Sequence, residues 1–234
     1  MITDDEVLAA AVRNNAEWCQ SMCRAHGLTG AFGPRAWTSA ARTPLYYPDA
    51  VTLTEEAGAG DVVTGIDRTT AGASVKDSYA RVDLTSEGFR LLFEARWIAR
   101  PAGLPAPAAP GDWRPVRTPE ELAAWALAWS GDDAEDAALF RPELLADPST
   151  TIVAGYGDDG RIIGGGVLSA SARVTGVSNL FAAGDTDPSA AWAGVLASAP
   201  ADRPAVGYES GDDLPPARAA GFRELAPLRV WLGA

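Results

Sequence analysis

Between Thr151 and Phe181 three stretches of strand length follow one another: Thr151 to Tyr156, Arg161 to Ser169 and Arg173 to Phe181. The turn Gly157-Asp158-Asp159-Gly160 joins the first two, so the spacing predicts a three-strand antiparallel meander. What surrounds the meander is helical. Upstream, Thr118-Pro119-Glu120-Glu121 supplies an N-cap, a proline at the first helical position and a capping-box glutamate, and Leu122, Trp125, Ala126 and Trp129 form one apolar face. A short helix around Pro142 to Ala146 follows the acidic run Asp132-Asp133-Ala134-Glu135-Asp136, which reads as a solvated loop. Downstream come a helix from Pro188 through Trp192 and Leu196, a short strand from Ala205 to Tyr208, a helix from about Leu214 closed by Gly221, and a strand from Leu228 to Leu232. The expected class is α+β: a mixed, mostly antiparallel sheet flanked by helices.

The first hundred residues are read as a separate region. Val7, Leu8, Ala11, Val12, Trp18, Cys19, Met22 and Cys23 fall on helical spacing, with Gly27 at a C-cap position. Residues 28–50 hold glycines, prolines and aromatics, and read as irregular but packed. Ser74 to Leu84 and Phe89 to Ile98 read as strands joined by a hairpin turn at Thr85-Ser86-Glu87-Gly88. Prolines at 101, 105, 107 and 110 mark a connector. The expected organisation is therefore an N-terminal helix and β-hairpin region over 1–100, a Pro-rich connector over 101–112 and a domain over 113–234.

Composition narrows the function. The 234 residues carry 31 acidic and 19 basic side chains, for a formal charge of −12, and a field of that sign repels nucleic acid unless a basic stripe offsets it. The sequence shows no such stripe. It has no apolar run long enough for a membrane span, and its acidic start, Thr3-Asp4-Asp5-Glu6, is unlike an export signal. Neither nucleic acid nor a membrane is an expected partner, and a cytoplasmic location is expected. Cys19, Cys23 and His26 share one face of the first helix, but nothing completes a tetrahedral set, so buried thiols are expected and no metal. Lys76, the single lysine, stands beside Asp77 and reads as a solvated charge.

The element order of residues 113–234 resembles the GCN5-related N-acetyltransferase (GNAT) family. The resemblance is carried by Asp159-Gly160 with Ile163-Gly164-Gly165-Gly166-Val167-Leu168, by Val174 to Phe181, and by Gly221-Phe222 ahead of the last strand. It implies that the fourth and fifth strands splay and that acyl-CoA lies in the cleft, bonded to main chain at Asn179, Leu180, Phe181 and Ala182. Two departures stand out. Where the family has a glycine-rich pyrophosphate loop, this chain has Gly184-Asp185-Thr186-Asp187-Pro188, so Asp185 and Asp187 disfavour acetyl-CoA. Where many members carry a tyrosine that protonates the leaving thiolate, this chain has Ala217. The first half echoes the second, Gly88-Phe89 with Arg96-Trp97-Ile98 against Gly221-Phe222 with Arg229-Val230-Trp231, which suggests a degenerate duplicate.

Tyr208-Glu209-Ser210-Gly211-Asp212-Asp213 follows the fifth strand at the mouth of the expected cleft. Glu209 is the candidate base for an amine, and Asn179, Tyr208 and Glu209 form the expected small-molecule pocket. The plainer alternative has Asp212 or Asp213 capping the next helix and Glu209 in solvent. Two functions follow: an acyl-CoA-dependent N-acyltransferase of atypical or lost activity, or a non-catalytic small-molecule-binding or interaction module on the same scaffold.

Overall fold

The computed structural model describes residues 2–234, and its chain divides into two compact units, 1–97 with 225–234 and 98–224. The second unit carries the meander. β6 (Asp112–Pro115), β7 (Thr150–Tyr156), β8 (Ile162–Ala170) and β9 (Thr175–Ala182) are antiparallel neighbours, and β10 (Ala205–Glu209) joins β9 in parallel. α3 (Pro119–Ser130) begins at the expected capping box, with Thr118 Oγ1 accepting from Glu121 N and the Glu121 carboxylate accepting from Thr118 N. α5 (Pro188–Ala197) links β9 to β10, and α6 (Leu214–Ala219) ends at Gly221, whose φ of +93° only glycine adopts freely. The acidic loop holds one helical turn, α4 (Ala134–Ala137), capped by Asp133.

The glycine run of β8 has a steric cause. Trp125 brings its indole N–H edge against the strand, so a Cβ at Gly165 would stand 2.2 Å from its Nε1 and 2.7 Å from the Val153 carbonyl oxygen. On the other face Trp113, from β6, fills the space a side chain at Gly194 of α5 would need, 1.9 Å from its ring. Both indoles also find acceptors, Trp125 Nε1 donating to Val153 O at 2.9 Å and Trp113 Nε1 to Pro110 O at 2.7 Å. The core on the α5 side joins Val153, Leu168, Val177, Trp192, Val195 and Phe222.

The first unit repeats this plan in shortened form. α1 (Asp4–Ala25) precedes β1 (Gly30–Phe32), β2 (Ala36–Ser39) and β3 (Ala50–Thr52), which are antiparallel neighbours; α2 (Ala59–Val63) then crosses to β4 (Ser74–Asp77), parallel to β3. Each unit thus runs helix, antiparallel strands, helical crossover and parallel strand. Each then reaches a glycine of positive φ, Gly88 at +83° and Gly221 at +93°, and a buried phenylalanine, Phe89 or Phe222.

Several expectations are corrected. The hairpin of the N-terminal region is β1–β2, inside the stretch read as irregular; β4 and β5 (Phe89–Arg100) do not pair, because β11 (Arg223–Gly233) lies between them in the order β1-β2-β3-β4-β11-β5. Residues 225–234 consequently count with the first unit, although the sequence placed them in a domain over 113–234. Lys76 is 3% exposed, not solvated, and its Nζ donates to Asn15 Oδ1 at 2.9 Å. Among the described residues no helix is long and apolar enough to cross a membrane.

The packing predicts that Gly165→Ala destabilises the protein by ~3 kcal/mol, because neither the indole nor the Val153 backbone can yield without strain. Urea unfolding followed by tryptophan fluorescence measures it; an unchanged midpoint would show that Trp125 is free to move.

Candidate functional site

The seam expected between the fourth and fifth strands is present. β9 and β10 pair only at Ala205 with Thr175 and Val206 with Gly176, after which β9 continues to Ala182 and β10 to Glu209. A bulge contributes to the parting. Gly165 faces Phe181 and Val167 faces Ser178, so Asn179 and Leu180 stand opposite the single Gly166. Asn179 takes φ +50°, the left-handed region that asparagine tolerates better than most residues, and the extra residue turns β9 out of register.

The first unit has the same short parallel ladder, Ala50 with Val75 and Val51 with Lys76, but there the strands stay bridged. Thr52 Oγ1 accepts from Ser78 N at 2.7 Å, and Trp97 Nε1 donates to Ser78 O at 2.8 Å. Asp77 accepts from Val82 N at 2.8 Å. These bonds bridge the first unit's pair beyond its ladder, although the buried Ser78 hydroxyl there has no partner.

Glu209, at the end of β10, is half-buried, and burial together with the nearby Asp213 carboxylate pushes its pKa up to about 8. Asp213 precedes α6 without a side-chain cap bond, and Glu209 is not in bulk solvent. Tyr208 and Asn179 are half-buried. Two hydroxyls of β9 that the sequence did not flag, Thr175 Oγ1 and Ser178 Oγ, are buried without a hydrogen-bond partner, the kind of orphan that a ligand or water satisfies. Nothing local in the sequence marks them, since serine and threonine are ordinary in strands.

A cavity of about 950 Å³ opens at the end of β9. Phe181 and Ala182 line it, with Trp129 of α3, Arg161 of the β7–β8 turn and the loop from Ala183 to Thr186; Asn179, Leu180, Tyr208 and Glu209 do not. Trp129, expected as core, is half-buried at this wall. The Cys19 and Cys23 thiols are buried as the helical stripe implied, and desolvation raises them to about 11 and about 12, which makes both poor nucleophiles.

Whether the site fits a CoA pyrophosphate is decided at the start of α5. Asp187 is its N-cap, its carboxylate accepting from Ser189 N at 2.7 Å, and Pro188 has no N–H to offer. Asp185 adds a second negative charge in the same loop. Ala217, in the place of the family's thiolate-protonating tyrosine, is fully buried in the core. These residues do not fit a pyrophosphate at this helix.

The architecture of antiparallel meander, helical crossover and splayed parallel pair is the GNAT fold. No family model and no curated protein matches the chain. Among solved structures, a GCN5-related N-acetyltransferase from Kribbella flavida is similar at TM-score 0.62 and 16% identity over 95% of each chain. A GNAT-family protein from Novosphingobium aromaticivorans is similar at TM-score 0.57 and 12% identity, over 92% of this chain and 95% of that one. A conserved protein of unknown function from Staphylococcus epidermidis follows at TM-score 0.54 and 9% identity, over 70% and 73%. At such identities the likeness establishes the fold.

Because the folded pKa of Glu209 lies above the ordinary 4.5, the unfolded chain releases this proton at lower pH than the folded chain. The group therefore costs nothing below about pH 4.5 and progressively destabilises the fold as pH rises to about 8. Glu209→Gln should gain roughly 1–3 kcal/mol on the wild type between pH 5 and 8, seen as diverging melting temperatures. Parallel melting curves across that range would contradict the burial. Titration calorimetry with acetyl-CoA should show no micromolar binding; micromolar binding would mean that the cofactor enters by another route.

Proposed function

We propose that the protein is an acyltransferase-fold protein of atypical activity whose second unit accepts an amine at Glu209 and transfers an acyl group to it. The observation that carries this reading is the placement of a half-buried carboxyl group, its pKa raised to about 8, where β9 and β10 part. A base of that pKa takes a proton from an ammonium group near neutral pH, leaving a nitrogen lone pair free to attack. The nitrogen forms a bond to the thioester carbonyl carbon and the carbon–sulfur bond breaks; the thiolate takes the second N–H proton and leaves as a free thiol, and the first proton, held on the Glu209 carboxylate, passes to solvent. The acyl donor would lie along Asn179 to Ala182, with the unpartnered Ser178 hydroxyl among the polar groups of that strand. No pyrophosphate clamp contributes, so donor affinity is low.

A second reading is favoured by the Asp187 cap and by Ala217: the scaffold binds an amine and performs no chemistry. Both readings share the amine and differ in turnover. Thiol release from millimolar acetyl-CoA with a panel of primary amines separates them. Acyl transfer predicts slow amine-dependent release that rises with pH toward about 8 and falls 10²- to 10⁴-fold in Glu209→Gln. Amine binding without release would install the binding module in its place.

A further inference from the structure

We propose that the cavity at the end of β9 is a binding site for an organic cation with a flat apolar body, such as an arylalkylamine, distinct from the Glu209 position. Its volume of about 950 Å³ is ample for a small molecule. One wall is aromatic, made by Trp129 and Phe181, and it is held rigid by a ring cluster: Trp125 packs edge-on against Phe181 at 5.3 Å and against Phe140 at 4.8 Å, and Trp129 against Phe140 at 4.9 Å. A fixed π-face prefers a cation or a stacked ring over water.

The charges around that wall agree with it. Asp132 and Asp185 line the cavity, and neither is paired with a cation among the described residues. Asp132 is set in place by its backbone, at φ +71° directly after Gly131 at +66°. The α3 helix ends at the cavity with no basic residue in its last turn, so its negative pole faces the same space. Arg161 and Asp159, the remaining charged residues of the lining, form a solvent-exposed ion pair at 3.6 Å. Asp187 has taken the N–H at the α5 N-terminus that an anion would use. The end of β9 thus has the chemistry of a cation site, aromatic wall and unpaired carboxylates together, where a pyrophosphate site would need bare N–H groups.

Calorimetric titration of the full chain tests this with three probes of one size: phenethylamine, 2-phenylethanol and phenylacetate. The ammonium compound should bind at least fivefold more tightly than the neutral alcohol, and the carboxylate should not bind. Raising the salt concentration should weaken binding. Trp129→Leu and Asp132→Asn should each weaken phenethylamine at least threefold, in the wild-type and in the Glu209→Gln background alike; neither Trp129 nor Asp132 is fully buried, and unchanged circular dichroism confirms folding. Loss of binding in Glu209→Gln alone would move the cation to the amine position proposed above and overturn the separate site without touching that reading. Equal binding of phenylacetate, or no binding of phenethylamine, would overturn it outright.

Discussion

The second unit depends on indole rings lying against bare backbone. Trp125 of α3 stands against Gly165 of β8, and Trp113 of β6 stands against Gly155 of β7 and Gly194 of α5, at distances that no larger residue at these glycines allows. Because β8 is fixed, the strand it templates is fixed too, and the bulge opposite Gly166 sends Asn179 to Ala182 away from β10. The seam is therefore built into the packing. Van der Waals contact between a ring and a peptide plane is weak per atom pair, but an indole makes dozens of such contacts, and a cavity beside it would cost most of them.

The same packing explains how the charges come to be arranged. With Phe181 held against Trp125, the chain after β9 emerges beside the end of α3, and the loop that follows must turn into α5 within a few residues. Asp187 and Pro188 make that turn by capping the helix internally. An internal cap stabilises the helix by about 1 kcal/mol and removes the anion-binding capacity of its first turn. On the opposite branch of the seam, β10 ends in the half-buried Glu209. The internal cap at Asp187 and the raised carboxyl at Glu209 are separate local features of the two strands that part.

Much of this was legible in the sequence because it is encoded locally. The Gly157 to Gly160 turn of the meander, the capping box at Thr118, the Asp187 cap and the Gly221 turn each rest on residues within four positions of one another. What escaped is non-local. β6 is four residues long, includes Pro115, and is a strand because Trp113 has a glycine cradle 42 and 81 residues further on, at Gly155 and Gly194. β11 lies between β4 and β5, an arrangement set by pairing across most of the chain, so the apparent hairpin at Thr85 to Gly88 was a local pattern with no partner to close it. Lys76 looked like a surface charge because its partner, Asn15, stands 61 residues away on α1. Glu209 was picked out from its place after a short strand, whereas Ser178 and the Trp129 wall needed coordinates.

The central claim is that the end of β10 holds a carboxyl group in a proton-retaining environment. Carbon-13 NMR of the Glu209 side-chain carboxyl, assigned by its loss in Glu209→Gln and followed from pH 4 to 10, tests this most directly. The account predicts a midpoint near 8 that moves to lower pH when an amine is added, since an ammonium neighbour favours the carboxylate. A midpoint at the ordinary value of about 4.5, unmoved by amines, would contradict it.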